Sequence, residues 1–533
     1  MGYAHTYAHD IMHRGRIPME PVDFVPDWAD RPRKAKYYPG TELLPLPPAT
    51  PPDGTPAGSA AAGFGLPVLG GLLQDSYGLT GRRLGVQANT DLAALPHYTH
   101  ANWSRGTASG GGLYPVSVYW AAGAGAPVTP GLYHYAPHHH ALRRLLAGDV
   151  TGEVRAALGG PAAPGGPDAG YLLLGVKYWQ NAFKYNSFSF HAVSMDVGTL
   201  VQTWRLWAAE RGLGLSPLLW FDEERLARLL GTPDREEGVF AVVSLGPGAT
   251  APAPGAPVPA PADGGGADAR AEEPRVRHRD VERSRRVLEF ETLRRVHRAT
   301  LGRAADRPAP GALDAAAAAP VRGGEPVPLP APSARRLGTA AALRARRSSF
   351  GRFDASRPVA AEELAAALAD CAATSLGSEA ERPDGPRLVS LYAFVNHVTG
   401  IAPGSYAYDP DAHALRLVVD GPPGPFLQRN YFLSNYNLEQ AGAVLVPAVR
   451  TTAVLDAVGD RGYRLVGGTA GAVAQTFYTT AAALGLGAGV ALGFDNVAYT
   501  EHLGTDGTDE APLLIMLLGH ERPRPADFRH EIA

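Results

Sequence analysis

The chain has 533 residues, of which 45% are apolar and 19% are charged, and its formal net charge is −3. Such a length exceeds the roughly 250 to 300 residues that one hydrophobic core can serve, so we expect two domains. The near-neutral balance argues against a broad positive surface for nucleic acid. Because Cys371 is the only cysteine, an internal disulfide and a cysteine-based metal centre are excluded.

In chain order, the first segment is an aromatic and proline-rich N-terminal arm over residues 1–65. Neither this arm nor any later stretch has the apolar run of a signal peptide or a membrane span, so we expect a cytoplasmic protein without membrane contact. A first domain follows over residues 66–250 and a second over residues 336–526. The residues between them, 251–335, are predicted to be a linker, because the stretch 247–274 is rich in Pro, Ala and Gly.

One segment of this linker has a helical pattern. Val287, Phe290, Leu293 and Val296 recur every three residues among arginines and glutamates. This spacing predicts an amphipathic helix over residues 279–302 that packs on a neighbouring domain.

The two domains are predicted to be copies of one another. The segment GLYHYAPHHHAL at Gly131 matches GSYAYDPDAHAL at Gly404, and the same 273-residue offset pairs Gly198 with Gly471 and Leu245 with Leu518 without a gap. Each copy reads as a helix, a strand, a Tyr-x-Tyr hairpin, further helices and closing strands, which is an α+β pattern. Two such copies can form a covalent version of a homodimer.

In the first copy, two segments are specific enough to assign. The apolar run YLLLGVKYW predicts a buried strand, and VGTLVQTWRLWAAERG predicts a long buried helix that ends at Gly212.

Four segments together resemble the nitroreductase superfamily. They are SGGGLYPVSVYW from Ser109, FKYNSFSFHAVSMDVG from Phe183, ARRSSFGRFD from Ala345, and the closing segment Leu484–Pro523. The resemblance is greatest to its SagB-type branch, the azoline dehydrogenases that form thiazole and oxazole rings in ribosomal peptides. It implies two tandem FMN-dependent nitroreductase-like domains that form a pseudo-dimer.

In this family, FMN lies in the dimer interface, where one subunit supplies an Arg-x-Ser motif and the other a Ser/Gly loop. Arginine can hold a phosphate by paired charged hydrogen bonds, and glycines let backbone approach a flat ring. The resemblance therefore implies cofactor contacts at Ser109, Gly110, Gly111, Arg346, Arg347, Ser349, Gly493 and Arg522.

The repeat predicts that only one such site survives. At the 273-residue offset, Arg347 and Ser349 correspond to Gln74 and Ser76, so the first copy lacks the phosphate arginine. Conversely, Ser109, Gly110 and Gly111 correspond to Arg382, Pro383 and Asp384, and Gly493 corresponds to Trp220. We therefore expect one FMN per chain.

The resemblance implies catalysis by Lys184 and Tyr185, because a Lys-Tyr pair acts near the flavin in azoline dehydrogenases. A tyrosine beside an ammonium group can serve as the base, and Lys184 can stabilise the negative charge of reduced flavin. The counterparts in the second copy, Ala457 and Val458, can do neither. A structural role stays open, since Lys-Tyr pairs also begin at Lys36 and Lys177.

Two other polar clusters are weaker candidates. The histidines in LYHYAPHHH, His134 and His138–His140, suggest a metal site, but adjacent side chains at a turn diverge, so a solvated turn is favoured. The acids of Asp222–Glu224 are favoured as the start of a helix rather than as catalytic carboxylates.

The resemblance thus implies an FMN-dependent dehydrogenase that acts on an azoline-containing precursor peptide, with dioxygen reoxidising the flavin and a cyclodehydratase as partner. Two alternatives remain open from the sequence. One is an NAD(P)H-dependent nitro or quinone reductase of the same fold, and the other is a non-catalytic scaffold of a peptide-modifying complex.

Overall fold

The computed structural model describes residues 2–49, 64–84, 101–160, 170–232, 236–246, 273–523 and 528–532. The predicted Pro/Ala/Gly-rich linker stretch, 247–274, lies almost entirely outside the described residues.

The first half contains, in chain order, α1 (Tyr3–His13), β1 (Leu43–Pro45), α2 (Leu66–Ser76), β2 (Gly81–Leu84), β3 (Ala101–Ser104), β4 (Val116–Ala122), β5 (Gly131–Ala136), β6 (Ala141–Ala147), α3 (Thr151–Ala157), β7 (Gly170–Lys177), α4 (Trp179–Tyr185), α5 (Ser189–Ala209), β8 (Leu215–Leu218), α6 (Glu223–Leu230) and β9 (Glu237–Leu245).

The second half contains α7 (Glu291–Ala299), β10 (Pro326–Pro328), α8 (Thr339–Ala345), α9 (Ala361–Ala372), β11 (Val389–Val395), β12 (Gly404–Asp409), β13 (Ala414–Asp420), α10 (Gly424–Arg429), β14 (Ala443–Arg450), α11 (Thr451–Val458), α12 (Gly462–Leu484), β15 (Gly487–Ala491), α13 (Asn496–Leu503), β16 (Glu510–Pro512), β17 (Ile515–Gly519) and β18 (Phe528–Glu531).

Each half is built on a sheet with the same strand order. The first sheet runs β1-β6-β5-β4-β7-β9-β8, and the second runs β10-β13-β12-β11-β14-β17-β15 with β16 beside β14. Even the irregularities repeat, because the β5–β6 ladder shifts register after Leu132 and the β12–β13 ladder after Ser405. These positions are one offset of 273 residues apart, so the predicted tandem α+β repeat is confirmed.

The halves meet through their long central helices, α5 and α12. A Cβ atom added to Gly198 would lie 2.0 Å from Gly468 O, and one added to Gly471 would lie 2.1 Å from Met195 O. The two contacts involve equivalent positions of the repeat, as expected of a two-fold interface in which the same patch is used twice. Only glycine permits this approach of two helix backbones.

The linker helix differs from its prediction. It begins at Glu291 rather than near 279, and residues 273–290 are not helical. The backbone N–H groups of Arg285 and Arg286 donate instead to Asp30 of the N-terminal arm, at 2.8 and 2.9 Å. Bonds to Asp30 thus take the place of helical bonds at these two N–H groups.

The edge strands β1 and β10 come from the predicted arm and linker, so both sheets extend beyond the predicted domain ranges. The predicted buried strand is β7, and the long helix is α5, which begins earlier than predicted, at Ser189. In the described residues, no helix has both the length and the apolar character to cross a membrane.

The histidine turn is also only partly as predicted. His138 and His139 are exposed, but His134 is buried, and its pKa is lowered to about 3 by burial and by Lys36 and Arg143. The period-two alternation of β5 places His134 on the same face of the sheet as Tyr119, where its ring packs against Tyr38 and Tyr119.

Candidate functional site

The glycine loop, Ser109–Gly112, precedes β4 where the first half meets the second. Gly111 and Gly112 have φ values of 62° and 64°, which strongly favour glycine. Asp196, on α5, accepts hydrogen bonds from Gly110 N at 2.8 Å and from Ser109 Oγ at 2.7 Å. Burial raises the pKa of Asp196 to about 7 against the opposing effect of these two bonds. The loop is thereby fixed against the central helix.

Lys184 and Tyr185, at the end of α4, lie beside this loop. A Cβ atom added to Gly111 would lie 2.6 Å from Tyr185 Oη and 2.9 Å from Lys184 Nζ. The Lys184 ammonium lies 4.7 Å from the centre of the Tyr185 ring. Both residues are only partly buried, so a ligand can reach them. Two predicted motifs that are distant in sequence are thus brought together.

An apolar segment of the second half borders the same place. Burial and the neighbouring Tyr185 phenol raise the pKa of Tyr431. The next residues, Phe432 and Leu433, are 49% and 54% exposed, which is unusual for large apolar side chains. Phe432 N donates to Gly493 O at 2.8 Å, so the predicted Gly493 lies directly behind this segment.

The N-terminal arm closes one side of this segment. Arg14 Nη1 donates to Asn496 Oδ1 at 2.6 Å, and Arg14 Nη2 donates to Leu492 O. The guanidinium also lies 4.9 Å from the centre of the Phe188 ring. Burial lowers the pKa of Arg14 to about 10. The arm is therefore part of the wall of the site rather than a detached leader.

An arginine cleft of about 510 Å³ lies where the chain entering from α8 meets the backbone before β15 and after β17. Arg347 pairs with Glu521 within it, and Arg522 Nη2 donates to Gln440 Oε1 at 3.2 Å. Guanidinium groups outnumber carboxylates in this cleft, which suits a phosphate. Its charged lining consists of Arg346, Arg347, Arg357, Glu521 and Arg522, with His520 beside them.

Arg346 links the cleft to the glycine loop. Its Nε donates to Gly106 O at 2.8 Å and its Nη2 to Arg105 O at 2.9 Å. These carbonyls lie a few residues before Ser109, so the arginine motif of one half and the glycine loop of the other are adjacent. Arg346 uses these N–H groups to hold the halves together.

The two serines of the motif have separate environments. Ser348 Oγ is hydrogen-bonded to the Tyr478 hydroxyl at 2.9 Å. Ser349 Oγ is buried, and within the described part of the chain it has no hydrogen-bond partner. A Cβ atom added to Gly487, which lines the cleft, would lie 2.7 Å from this oxygen. Ser349 therefore lies just behind the cleft lining.

The pseudo-equivalent position in the first half is filled by protein. Asp75 Oδ2 accepts from Trp207 Nε1 at 2.9 Å, and Asp75 Oδ1 accepts from Arg344 Nε at 3.0 Å. Ser76 Oγ, the counterpart of Ser349 Oγ, accepts from Trp204 Nε1 at 2.8 Å. Two indoles and a guanidinium thus satisfy the polar groups that a ligand would otherwise meet.

The first half is also closed at Trp220, which is the counterpart of Gly493. Trp220 is 1% exposed, and its backbone N–H donates to Glu379 Oε1 at 2.7 Å. Burial raises the pKa of Glu379 against these backbone hydrogen bonds. A buried indole and a buried carboxylate leave no glycine-lined surface at this point.

Besides Arg14, Phe432 and Leu433, three buried or partly buried residues that position the site were missed from the sequence. Asp196 holds the glycine loop, Tyr478 contacts Ser348, and Gln475 accepts from Ala108 N at 2.9 Å. Each acts on a residue distant in the chain, so no local spacing reveals it. Asp196 alone had a signal, because it lies in the family-like segment that begins at Phe183.

Comparison with known proteins agrees with this arrangement. The sequence profile of the Nitroreductase family matches residues 93–247 and 343–520, which is more than half of the chain. A protein of Methanocaldococcus jannaschii classed as a nitroreductase is 32% identical over 133 residues, which cover 25% of this chain and 65% of that protein, just under two thirds of its length.

A solved structure from Anabaena variabilis, also classed as a nitroreductase, superimposes with a TM-score of 0.72 at 21% identity. The match covers 98% of this chain and 100% of the other, so the fold is shared across both halves. The chain belongs to the nitroreductase family and carries two tandem copies of its fold.

Proposed function

We propose that the chain is an FMN-dependent dehydrogenase that oxidises azoline rings of a ribosomal precursor peptide to thiazole or oxazole. The observation that carries this proposal is the contact of Gly111 with Lys184 and Tyr185. It places a proton acceptor and a cation beside a backbone that is bare of side chains. A cyclodehydratase, which forms the azoline, is the partner that such a reaction requires.

The residues present fit FMN at both ends. The arginine cleft suits its phosphate, and the buried Ser349 hydroxyl adds a donor that lacks a partner within the described residues. The glycine loop suits the flat ring, since Gly111 can present backbone where any Cβ would collide with Tyr185. The proposed contacts are Ser109, Gly110, Gly111, Arg346, Arg347, Ser349, Gly493 and Arg522.

Bound FMN supplies the acceptor for the two electrons that aromatisation of the ring releases. The side chains of the protein supply the proton chemistry. Tyr185 Oη is placed to take the ring proton, and the ammonium of Lys184 stabilises negative charge that develops at the site. The exposed Phe432 and Leu433 offer an apolar wall for the heterocycle.

The test is a comparison of electron donors on purified protein with its flavin quantified. We expect one FMN per chain, and we expect an azoline peptide to bleach the flavin anaerobically faster than NADPH does. Faster bleaching by NADPH would favour a nitro or quinone reductase of the same fold. Colourless protein that cannot be reconstituted would favour a scaffold, and two FMN per chain would refute a single shared site.

A further inference from the structure

A basic strip, residues 275–286, crosses the surface beside the candidate site. Its sequence is RVRHRDVERSRR, and these residues form neither a helix nor a strand. The chain as a whole has a net charge of −3, so this concentration of positive charge is local. The exposed arginines that matter below are Arg279, Arg283, Arg285 and Arg286.

Three carboxylates lie beside the strip. Asp280 and Glu282 each lie 2.6 Å from the buried Lys177 Nζ, so both are paired with a lysine outside the strip. Asp30 accepts the backbone N–H groups of Arg285 and Arg286, and these bonds together with the charges of Arg285 and Arg283 lower its pKa. Because Asp280 and Glu282 are shared with Lys177, the strip keeps an excess of positive charge.

The strip is anchored on the helix that carries the proposed catalytic pair. Ser284 Oγ accepts from Trp179 Nε1 at 2.9 Å, and Trp179 begins α4. At a rise of about 1.5 Å per residue, Tyr185 lies roughly 9 Å further along this helix. The strip and the site are therefore neighbours.

The N-terminal arm bridges the remaining distance. Trp28, two residues before Asp30, packs edge to face on Phe183 with ring centres 5.2 Å apart. Its ring centre lies 6.0 Å from Lys184 Nζ, and its side chain is 49% exposed. A ligand that lies along the strip would thus meet an exposed indole before it reaches Lys184.

We propose that the basic strip binds an acidic segment of the precursor peptide and so presents the azoline to Lys184 and Tyr185. The identity of the ligand as substrate rests on the proposed function. An extended peptide advances about 3.3 Å per residue, so roughly three residues or more separate the acidic segment from the azoline. A peptide fits better than RNA, because the positive charge is confined to this strip in a chain of net charge −3, which offers no broad positive field for a long polyanion to follow.

The experiment uses the FMN-loaded full chain and two labelled azoline peptides that differ only in a Glu or a Gln segment. The strip variant is R283Q/R285Q/R286Q, and the matched control is R298Q/R303Q/R322Q, which alters three exposed arginines outside the strip. Fluorescence anisotropy at low salt measures Kd, and turnover is measured in parallel. We expect the strip variant to weaken binding of the Glu peptide about tenfold or more and to leave the Gln peptide unchanged.

Equal binding of the Glu peptide to the strip variant and to the control would overturn the proposal. So would an RNA oligomer of equal charge that binds the strip as tightly as the Glu peptide. Anisotropy reports peptide binding whether or not the azoline is oxidised. Binding that depends on the strip but is not accompanied by azoline oxidation would therefore refute the proposed function alone. Oxidation of both peptides with equal KM in both variants would refute the strip alone.

Discussion

The two pseudo-equivalent positions at the interface differ in what fills them. One combines the glycine loop, Lys184 and Tyr185 with an arginine cleft, whereas in the other Trp204, Trp207 and Trp220 occupy the corresponding space. The same strands in the same order frame both positions. The two positions therefore differ in the side chains that fill them and in the N-terminal arm, whose Arg14 lines the open one, and a site in this fold can be closed without any change of strand order.

The largest expected effect is at the open position, which contains Lys184 and Tyr185. Lys184→Ala removes the ammonium group that lies against Gly111, so we expect kcat to fall by roughly 10²-fold or more while FMN is retained. The measurement is azoline turnover per bound flavin. Tyr37→Phe serves as the control, since it alters the exposed tyrosine of another Lys-Tyr pair, outside the site. Normal turnover in Lys184→Ala would disprove the catalytic assignment.

A second experiment compares one residue with its counterpart. Arg347→Ala removes charged hydrogen-bond donors from the cleft, so we expect Kd for FMN to rise by roughly 10- to 100-fold. Gln74→Ala, at the same position of the closed half, should leave Kd unchanged. Flavin fluorescence titration measures both. Equal effects of the two substitutions would mean that the halves share the phosphate in some other way.

Gly111→Ala tests the bare backbone of the open position. Its Cβ would lie 2.6 Å from Tyr185 Oη at a φ of 62°, so the loop must shift. We expect kcat/KM to fall roughly tenfold, which corresponds to about 1.4 kcal/mol. Asp384→Ala, at the exposed counterpart position, is the control. An unchanged kcat/KM in Gly111→Ala would place the substrate elsewhere.

The last prediction concerns the pH dependence of stability rather than activity. The folded-state pKa of Asp196 is raised to about 7, so between roughly pH 4 and pH 7 the folded state binds more protons than the unfolded state. Asp196 therefore makes the free energy of unfolding decrease as pH rises through this window.

Asp196→Asn should remove this dependence, by on the order of 1 kcal/mol per pH unit. Thermal unfolding at several pH values measures it, with Asp384→Asn as the exposed control. A wild-type curve parallel to that of Asp196→Asn would show that the carboxylate is not protonated in the fold.

Much of the fold could be predicted because the sequence contains two copies of it. The offset between Gly131 and Gly404 establishes the equivalence of the two sheets, and the continuous apolar run of β7 identifies it as a buried strand. The contact of the glycine loop with Lys184 followed from the family resemblance. None of these inferences needed a long-range contact to be known.

The remainder depends on such contacts. Arg346 bonds carbonyls of the other half, Asp196 on α5 holds the glycine loop 86 residues earlier, and Arg14 binds Leu492 from the far end of the chain. The linker helix was predicted too long because the predicted range, 279–302, includes Arg285 and Arg286, whose backbone N–H groups donate to Asp30 instead. The spacing of residues along the sequence does not reveal these partners.

The covalent joining of the halves has a consequence for their history. In a dimer of identical chains, one codon specifies both interface positions, so a tryptophan that blocks one would block the other as well. After a gene duplication and fusion, each position has its own codon, while the two halves are still made in equal number. An asymmetric assembly with one working centre can then be inherited as a single unit.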